Sequence, residues 1–314
     1  MTNSLRALLT DLVDYAGLFP PAKLGIQEAA EAYNRCRMSE EEWMLGRFVL
    51  PAARLEEFSA AAGPLLPGTL ATSGYREHAA SGEPWRLSAL LDATDPKAVN
   101  DGLDAIDAFN AHHSQEHNGL ALVDNVEVKV TAAGQIDSVL DELPEEIFPF
   151  FEFPTGSDCR GFVAALAGEP AAAKIRTGGI TSNAFPTPAE IVDFLAACAS
   201  IGVPFKATAG LHHPVRGSYR LTYEKNPPTC PMFGFVNLFL AAALVKIKGR
   251  HDDAEALLTE EDPAAFMFMD NVVKWRGYGF ETAQLALVRE RFAHSFGSCS
   301  FDEPVQDLHK LGWM

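Results

Sequence analysis

The stretch between Ala171 and Arg216 constrains the fold most strongly, because it predicts two parallel strands joined by a helix. The apolar run AAAKIRTGG is followed by a helix that begins after Thr187 and ends at Gly202, and the run VPFKATAG comes next. Pro188 at the first helical position and a glycine just past the last are typical helix boundaries. A strand, a crossover helix and a second strand in this order form a parallel pair.

The same alternation of strand and helix is predicted along most of the chain. Eight strands are predicted, over residues 14–19, 46–51, 85–92, 124–130, 147–154, 171–177, 203–209 and 292–299. Such alternation indicates an α/β protein with a parallel sheet, and eight strands close a (β/α)8 TIM-type barrel. We therefore predict one barrel domain over residues 1–314, with a helical insertion at about 214–290 before the last strand. An open doubly wound sheet is the alternative.

Charge and composition limit the kinds of partner. The net charge of -17 disfavours nucleic acid and anionic membrane surfaces. The five cysteines are scattered without a CxxC pair, and the first residues do not form a signal peptide, so we expect a reduced, cytoplasmic protein. Neither a Rossmann nor a P-loop motif occurs, and we predict no cofactor. We expect a small-molecule substrate and a homo-oligomer, with the apolar run 233–247 as a candidate subunit contact.

Ionisable residues stand near the ends of several predicted strands. Parallel strands covered on both faces rarely contain charges, and active sites of barrels lie at the C-terminal strand ends. Each charge alone has a structural explanation, such as an ion pair between Glu152 and Arg176. Their joint occurrence predicts an active site formed by Asp14, Asp92, Glu127, Lys129, Glu152, Lys174, Arg176, Lys206, His212 and His213.

The lysines and carboxylates of this set suggest Schiff-base chemistry. A lysine amine attacks a carbonyl only when it is neutral, so the site must lower its pKa by desolvation or with a neighbouring cation. For Lys174 that cation is Lys206 or Arg176. The iminium that forms acts as an electron sink, and Glu127 or Glu152 is positioned in the sequence to move the proton.

Short segments in chain order resemble the deoxyribose-phosphate aldolase family, whose members are class I aldolases on a (β/α)8 barrel. VDYAGLF, RFVLP and DNVEVKV stand where that family has its IDHT-like, CVNP-like and EVDVV strands. AKIRTGG and FKATAG match its two lysine strands, and FGSCSF (296–301), which contains Ser298, stands at its phosphate-holding GTSSG turn. DYAGLFPPA and FKATAGLHHP also resemble segments of uncharacterised bacterial proteins, which imply no activity.

The aldolase resemblance implies a role for each catalytic residue. Lys174 would be the nucleophile, Lys206 would lower its pKa, and Glu127 would replace the aspartate that relays protons. Arg176, the His-His-Pro segment and residues 214–290 have no counterpart in the family. The remaining candidates are expected to bind substrate, and they are Arg176, Glu152, Lys129, Gly178, Gly179, His212, His213, Asp14 and Ser298.

Three alternatives stay open from the sequence. A phosphoribosyltransferase of the quinolinate type would use VEVKV and the glycines after Lys174. A metal-dependent barrel enzyme would use His212 and His213, although adjacent residues of a strand point to opposite faces. A non-catalytic oligomeric binding protein is the third. We predict no metal ligands, and a Schiff-base lyase acting on a small carbonyl or carboxylate compound is the favoured hypothesis.

Overall fold

A closed barrel of eight parallel strands forms the centre of the protein. The computed structural model describes residues 1–69, 82–154, 156 and 158–314. Its strands are β1 (Val13–Tyr15), β2 (Leu45–Pro51), β3 (Trp85–Asp92), β4 (Ala121–Lys129), β5 (Phe148–Glu152), β6 (Ala172–Arg176), β7 (Phe205–Thr208), β8 (Gly217–Arg220), β9 (Thr229–Met232), β10 (Phe266–Phe268), β11 (Val272–Trp275), β12 (Tyr278–Glu281) and β13 (Ala293–Ser298). Strands β1 to β7 and β13 pair in order around the barrel, and β13 closes it against β1. The predicted (β/α)8 fold is confirmed.

The predicted barrel strands are all present, with one clear difference in length. The first strand was expected to reach residue 19, but β1 ends at Tyr15. The chain turns directly afterwards, where the amide of Phe19 donates to the carbonyl of Ala16 at 2.9 Å. This early end leaves Asp14 as the middle residue of β1, well inside the barrel.

Helices surround the barrel between successive strands. They are α1 (Asn3–Leu9), α2 (Ile26–Arg37), α3 (Leu55–Ala62), α4 (Pro96–His113), α5 (Gly134–Leu140), α6 (Arg160–Ala165), α7 (Pro188–Ile201), α8 (Phe235–Lys248), α9 (His251–Leu258), α10 (Thr282–Arg291) and α11 (Asp302–Lys310). The predicted helix between the two lysine strands is α7. Thr187 and Glu190 form its capping box, and Gly202 ends it at a φ of 78°.

The stretch Ser182–Ile201, which includes α7, is long and apolar enough by length and composition to cross a membrane. In this structure Ile191, Phe194, Leu195 and Cys198 of α7 are instead buried in the hydrophobic core. The helix therefore belongs to the outer layer of the barrel.

The segment between β7 and β13 is more varied than the sequence suggests. The three helices expected there are present as α8, α9 and α10, together with a β8–β9 hairpin and a three-stranded antiparallel sheet of β10, β11 and β12. Helix α8 is buried along Phe235–Val245, where Phe235 and Phe239 contact the ring of Phe296 on β13. Because the chain itself covers this apolar helix, the subunit contact predicted for it is wrong, and the homo-oligomer stays a prediction.

Candidate functional site

The strand register places several charged side chains side by side inside the barrel. Glu152 of β5 pairs with Lys174 of β6, and Lys174 pairs with Lys206 of β7. Neighbours in a parallel register point to the same face. Glu127 of β4 pairs with Phe150, which precedes Glu152 by two residues on β5 and faces the same side. Lys174, Lys206 and Glu127 therefore lie together inside the barrel, and their role as an active site stays a prediction.

These residues form a chain of alternating charges across the barrel interior. Lys206 Nζ lies 2.6 Å from Asp14 Oδ2 and 2.6 Å from Glu127 Oε1. Lys174 Nζ lies 2.7 Å from Glu127 Oε2 and 2.5 Å from Glu152 Oε2. Glu152 Oε1 accepts in turn from Arg176 Nη2 at 3.0 Å. We call this set the charge ladder, and its members in order are Asp14, Lys206, Glu127, Lys174, Glu152 and Arg176.

Opposite charges in the ladder outweigh the cost of their burial. Burial by itself raises the pKa of Glu127, but the ammonium groups of Lys174 and Lys206 hold that pKa well below its usual range. Burial likewise opposes ionisation of Glu152, and Lys174 and Arg176 lower its pKa. For Lys206, burial lowers the pKa, yet Asp14 and Glu127 raise it above the ordinary value. Glu127, Glu152 and Lys206 are therefore ionised at neutral pH.

Glu127 lies between the two lysines. The sequence analysis instead predicted that Lys206 acts directly on the pKa of Lys174. One carboxylate oxygen of Glu127 binds Lys206 and the other binds Lys174. Lys206 thus acts on Lys174 through the carboxylate that they share. The exposed fraction of the side chain is 1% for Lys206 and 3% for Lys174.

Two serines that the sequence analysis did not select complete the ladder. Ser88 of β3 donates to Glu127 Oε1 at 2.9 Å, and Ser295 of β13 donates to Asp14 Oδ2 at 2.7 Å. Both serines are buried in barrel strands. The backbone amide of Arg47 donates to the other oxygen of Asp14 at 2.7 Å. The three acids of the ladder are thus each held by several donors.

A cavity of about 380 Å³ opens at the C-terminal end of the barrel above the ladder. The loops after β6 and β7 meet beside it. A Cβ atom on Gly178 would lie 2.9 Å from the Cα of Gly210, so this approach requires glycine. Thr177 fixes the same two loops by donating to the carbonyl of Ala209 at 2.6 Å. The cavity wall includes Glu127, Lys174, Arg176, Gly178, Gly179 and His212.

The two adjacent histidines have separate partners. His212 Nδ1 lies 3.1 Å from Glu303 Oε2, which also accepts from Tyr223 at 2.7 Å. His213 Nδ1 lies 2.6 Å from Asp307 Oδ2, and its ring stacks on Tyr219 at 3.5 Å between centroids. Among the described residues, no group of three or more His, Cys, Asp or Glu side chains is arranged to hold a metal ion.

Several predicted substrate contacts do not line the cavity. Asp14 is buried beneath Lys206, and Lys129 is exposed at the end of β4. Ser298 donates its hydroxyl to the carbonyl of Ser300 at 2.7 Å within its own turn. His213 is held against Tyr219. These four side chains do not line this cavity, because each is covered, turned to solvent or already engaged, and their contact with a substrate stays a prediction. Glu152, whose side chain is 13% exposed, does not line the cavity either.

No family model, curated protein or solved structure matches this chain. The function must therefore be argued from the ladder and the cavity.

Proposed function

We propose that the protein is a class I aldolase or related lyase, which forms a Schiff base between Lys174 and a small carbonyl or carboxylate compound. One observation carries this proposal: the Lys174 amine contacts two carboxylates at the floor of a cavity that opens at the C-terminal end of a (β/α)8 barrel. That end is where barrel enzymes hold their active sites.

Lys174 is a better nucleophile candidate than Lys206. Lys174 lines the cavity, whereas Lys206 lies below it and is fully buried. The raised pKa of Lys206 keeps it as an ammonium, which cannot add to a carbonyl. Lys206 is therefore a positioning residue that holds Glu127 ionised between the two amines.

Protons have to move at the bound compound as well as at Lys174. Glu127 contacts both amines, and its lowered pKa means that it holds a proton only transiently. His212 stands on the cavity wall with Glu303 against its Nδ1 nitrogen. Histidine is the side chain that ordinarily exchanges protons near neutral pH. These contacts support His212 as the general acid and base for the bound compound.

Borohydride trapping tests the proposal. The protein is treated with borohydride and a panel of small aldehydes and keto acids, and its intact mass is measured. We expect a substrate-sized mass gain in the wild type that is absent in Lys174→Met. The control is Lys97→Met, which removes an exposed lysine paired with Asp101 and should retain the adduct. No adduct with any compound, or an equal adduct in Lys174→Met, would contradict the proposal.

A further inference from the structure

The Arg176–Glu152 ion pair joins the cavity to Lys174. Resting on the proposed function, we propose that the substrate is a carbonyl compound with a carboxylate or phosphate group, that this group binds Arg176, and that Glu152 is thereby released to take a proton from Lys174. Arg176 would then select the substrate and couple its binding to activation of the nucleophile.

The resting state of Lys174 poses the problem that this coupling solves. Its Nζ lies 2.7 Å from Glu127 Oε2 and 2.5 Å from Glu152 Oε2. An ammonium between two carboxylates has no lone pair to add to a carbonyl. One of the two carboxylates must therefore accept a proton before the amine can react.

Glu152 is the carboxylate whose surroundings a ligand can change. Glu127 is held by Lys206 and Ser88 in addition to Lys174, and both of these partners are fully buried. Beyond Lys174, the partner of Glu152 is Arg176, which lines the cavity and has a side chain that is 42% exposed. Three members of the ladder line the cavity, and they are Arg176, Lys174 and Glu127. A molecule in the cavity can therefore contact Arg176 directly.

Arg176 retains hydrogen-bonding capacity for an anion. Its Nε and Nη2 both donate to Glu152 Oε1, at 3.1 and 3.0 Å. Within the ranges 1–69, 82–154, 156 and 158–314, its Nη1 has no hydrogen-bond partner. A guanidinium binds carboxylate and phosphate groups through paired N–H donors. An incoming anion therefore competes with Glu152 for the positive charge.

Loss of that charge favours proton transfer to Glu152. Burial alone would raise the pKa of Glu152, and Lys174 and Arg176 lower it, so loss of the adjacent guanidinium raises that pKa. The other charges near the pair are Glu127 on β4, Lys206 on β7 and the exposed Lys129, which is in register with Glu152. Neither Lys206 nor Lys129 lines the cavity, so a ligand there does not contact them.

The reaction balances without a further reagent. Lys174 transfers one proton to Glu152, and the neutral amine adds to the carbonyl carbon. One of the two amine protons moves to the carbonyl oxygen, which gives a neutral carbinolamine. Glu152 returns the proton to the carbinolamine oxygen, which leaves as water. The nitrogen retains one proton and becomes the iminium nitrogen. One water is released for each imine formed, and Glu152 ends as a carboxylate again.

Matched neutral and anionic compounds test the coupling. The rate of imine formation is measured at pH 7 by cyanoborohydride trapping and intact mass, with pyruvate against pyruvamide and glycolaldehyde phosphate against glycolaldehyde. In the wild type we expect the preferred anionic compound to react about tenfold faster than its neutral partner, because binding of the anion to Arg176 raises the pKa of Glu152 and so increases the share of neutral amine. The pair with the larger ratio identifies carboxylate or phosphate as the anion.

The variant Arg176→Met should change the trapping rate in opposite directions for the anionic and the neutral compounds. We expect trapping of the anionic compound to slow about tenfold, because its binding group is lost. Trapping of the neutral compound should become faster, because Glu152 has lost its guanidinium permanently. Arg176→Lys should retain part of the anion preference. The control Arg250→Met removes an exposed arginine paired with Asp253 and should change neither rate.

The possible failures are distinguishable. If the wild type forms no adduct with any of the four compounds, the proposed function fails and the coupling fails with it. If adducts form without preference for anions, only the role of Arg176 is refuted. If Arg176→Met slows both kinds of compound equally, or leaves the neutral compound unchanged, then Arg176 does not control proton transfer from Lys174.

Discussion

Removal of Lys206 should destabilise the barrel more than removal of any exposed lysine does. Lys206 is fully buried, and its Nζ lies 2.6 Å from two carboxylates that are themselves buried. At this distance and an effective dielectric constant of about 20, each pair attracts by about 6 kcal/mol, and desolvation of the ions offsets much of that. Removing one partner of a buried ion pair typically costs about 3–5 kcal/mol, so we expect Lys206→Met to lower the free energy of unfolding by that amount.

Urea denaturation at pH 7, followed by circular dichroism, measures this loss. The control Lys97→Met removes a lysine whose side chain is 80% exposed, and it should change the free energy of unfolding by no more than about 0.5 kcal/mol. The slope of the denaturation curve has to stay constant for the comparison to hold.

A double-mutant cycle with Glu127→Gln separates the ion pair from the loss of packing. Lys206→Met removes the cation that Asp14 and Glu127 share, and Glu127→Gln removes one of the two carboxylates from each lysine. The Lys206–Glu127 pair is lost in both single variants, so the double variant loses it only once. We expect the double variant to be more stable than the sum of the two losses predicts, by about 1–3 kcal/mol. Equal stability of Lys206→Met and Lys97→Met, or strict additivity in the cycle, would refute the view that the ladder is a coupled network.

Two further perturbations act on the same network. Burial would raise the pKa of Glu127 and Glu152, but their cationic partners lower both in the folded state, so the unfolded chain binds protons first as the pH falls. The stability that they contribute is complete above about pH 4.3, the ordinary glutamate pKa, and is lost as the pH falls below it. Melting curves from pH 3 to 7 should show this loss of stability, and the loss should be smaller in Glu127→Gln. Gly46→Ala should cost about 1–3 kcal/mol, because its Cβ would lie 2.3 Å from Asp14 Oδ1. Gly161→Ala, which has open space in a helix, should stabilise by about 0.5–1 kcal/mol, and urea denaturation compares the two.

Local sequence patterns were sufficient to predict the barrel and the centre of the site. Apolar runs bounded by turns marked each barrel strand. Lysines and carboxylates inside those runs stood out, because buried parallel strands are otherwise apolar. Once the strands are parallel and consecutive, the register brings Glu152, Lys174 and Lys206 together without further information.

The contacts that local patterns did not predict connect distant parts of the chain. Asp14 and Lys206 are 192 residues apart and meet only because β13 closes the barrel against β1. Glu303 reaches His212 across 91 residues, from the helix that follows the last strand. The β8–β9 hairpin escaped prediction because its four-residue strands are half exposed and carry no continuous apolar pattern. Such pairings depend on tertiary closure rather than on local preference.

The partners of the ladder residues differ from those of Arg289, a buried charge with a structural role. Arg289 is also buried, and burial lowers its pKa to about 9. Its guanidinium donates to backbone carbonyls of Leu8 and Thr10 at 2.8 Å, and to those of Ala293 and His294, so it joins the end of α1 to β13. Those acceptors carry no net charge and cannot exchange a proton.

The ladder, by contrast, consists of side chains that can each gain or lose a proton, apart from Arg176, and it ends at a cavity. An apolar interior of similar volume is often as stable as buried ion pairs or more stable, and barrel interiors are usually filled with branched apolar residues. A chain that needed only a stable barrel would gain nothing from three acids and three bases at its centre. The ladder therefore supports the proposed proton transfer at Lys174 better than it supports a role in stability alone, whereas the contacts of Arg289 in the same barrel are those of a structural charge.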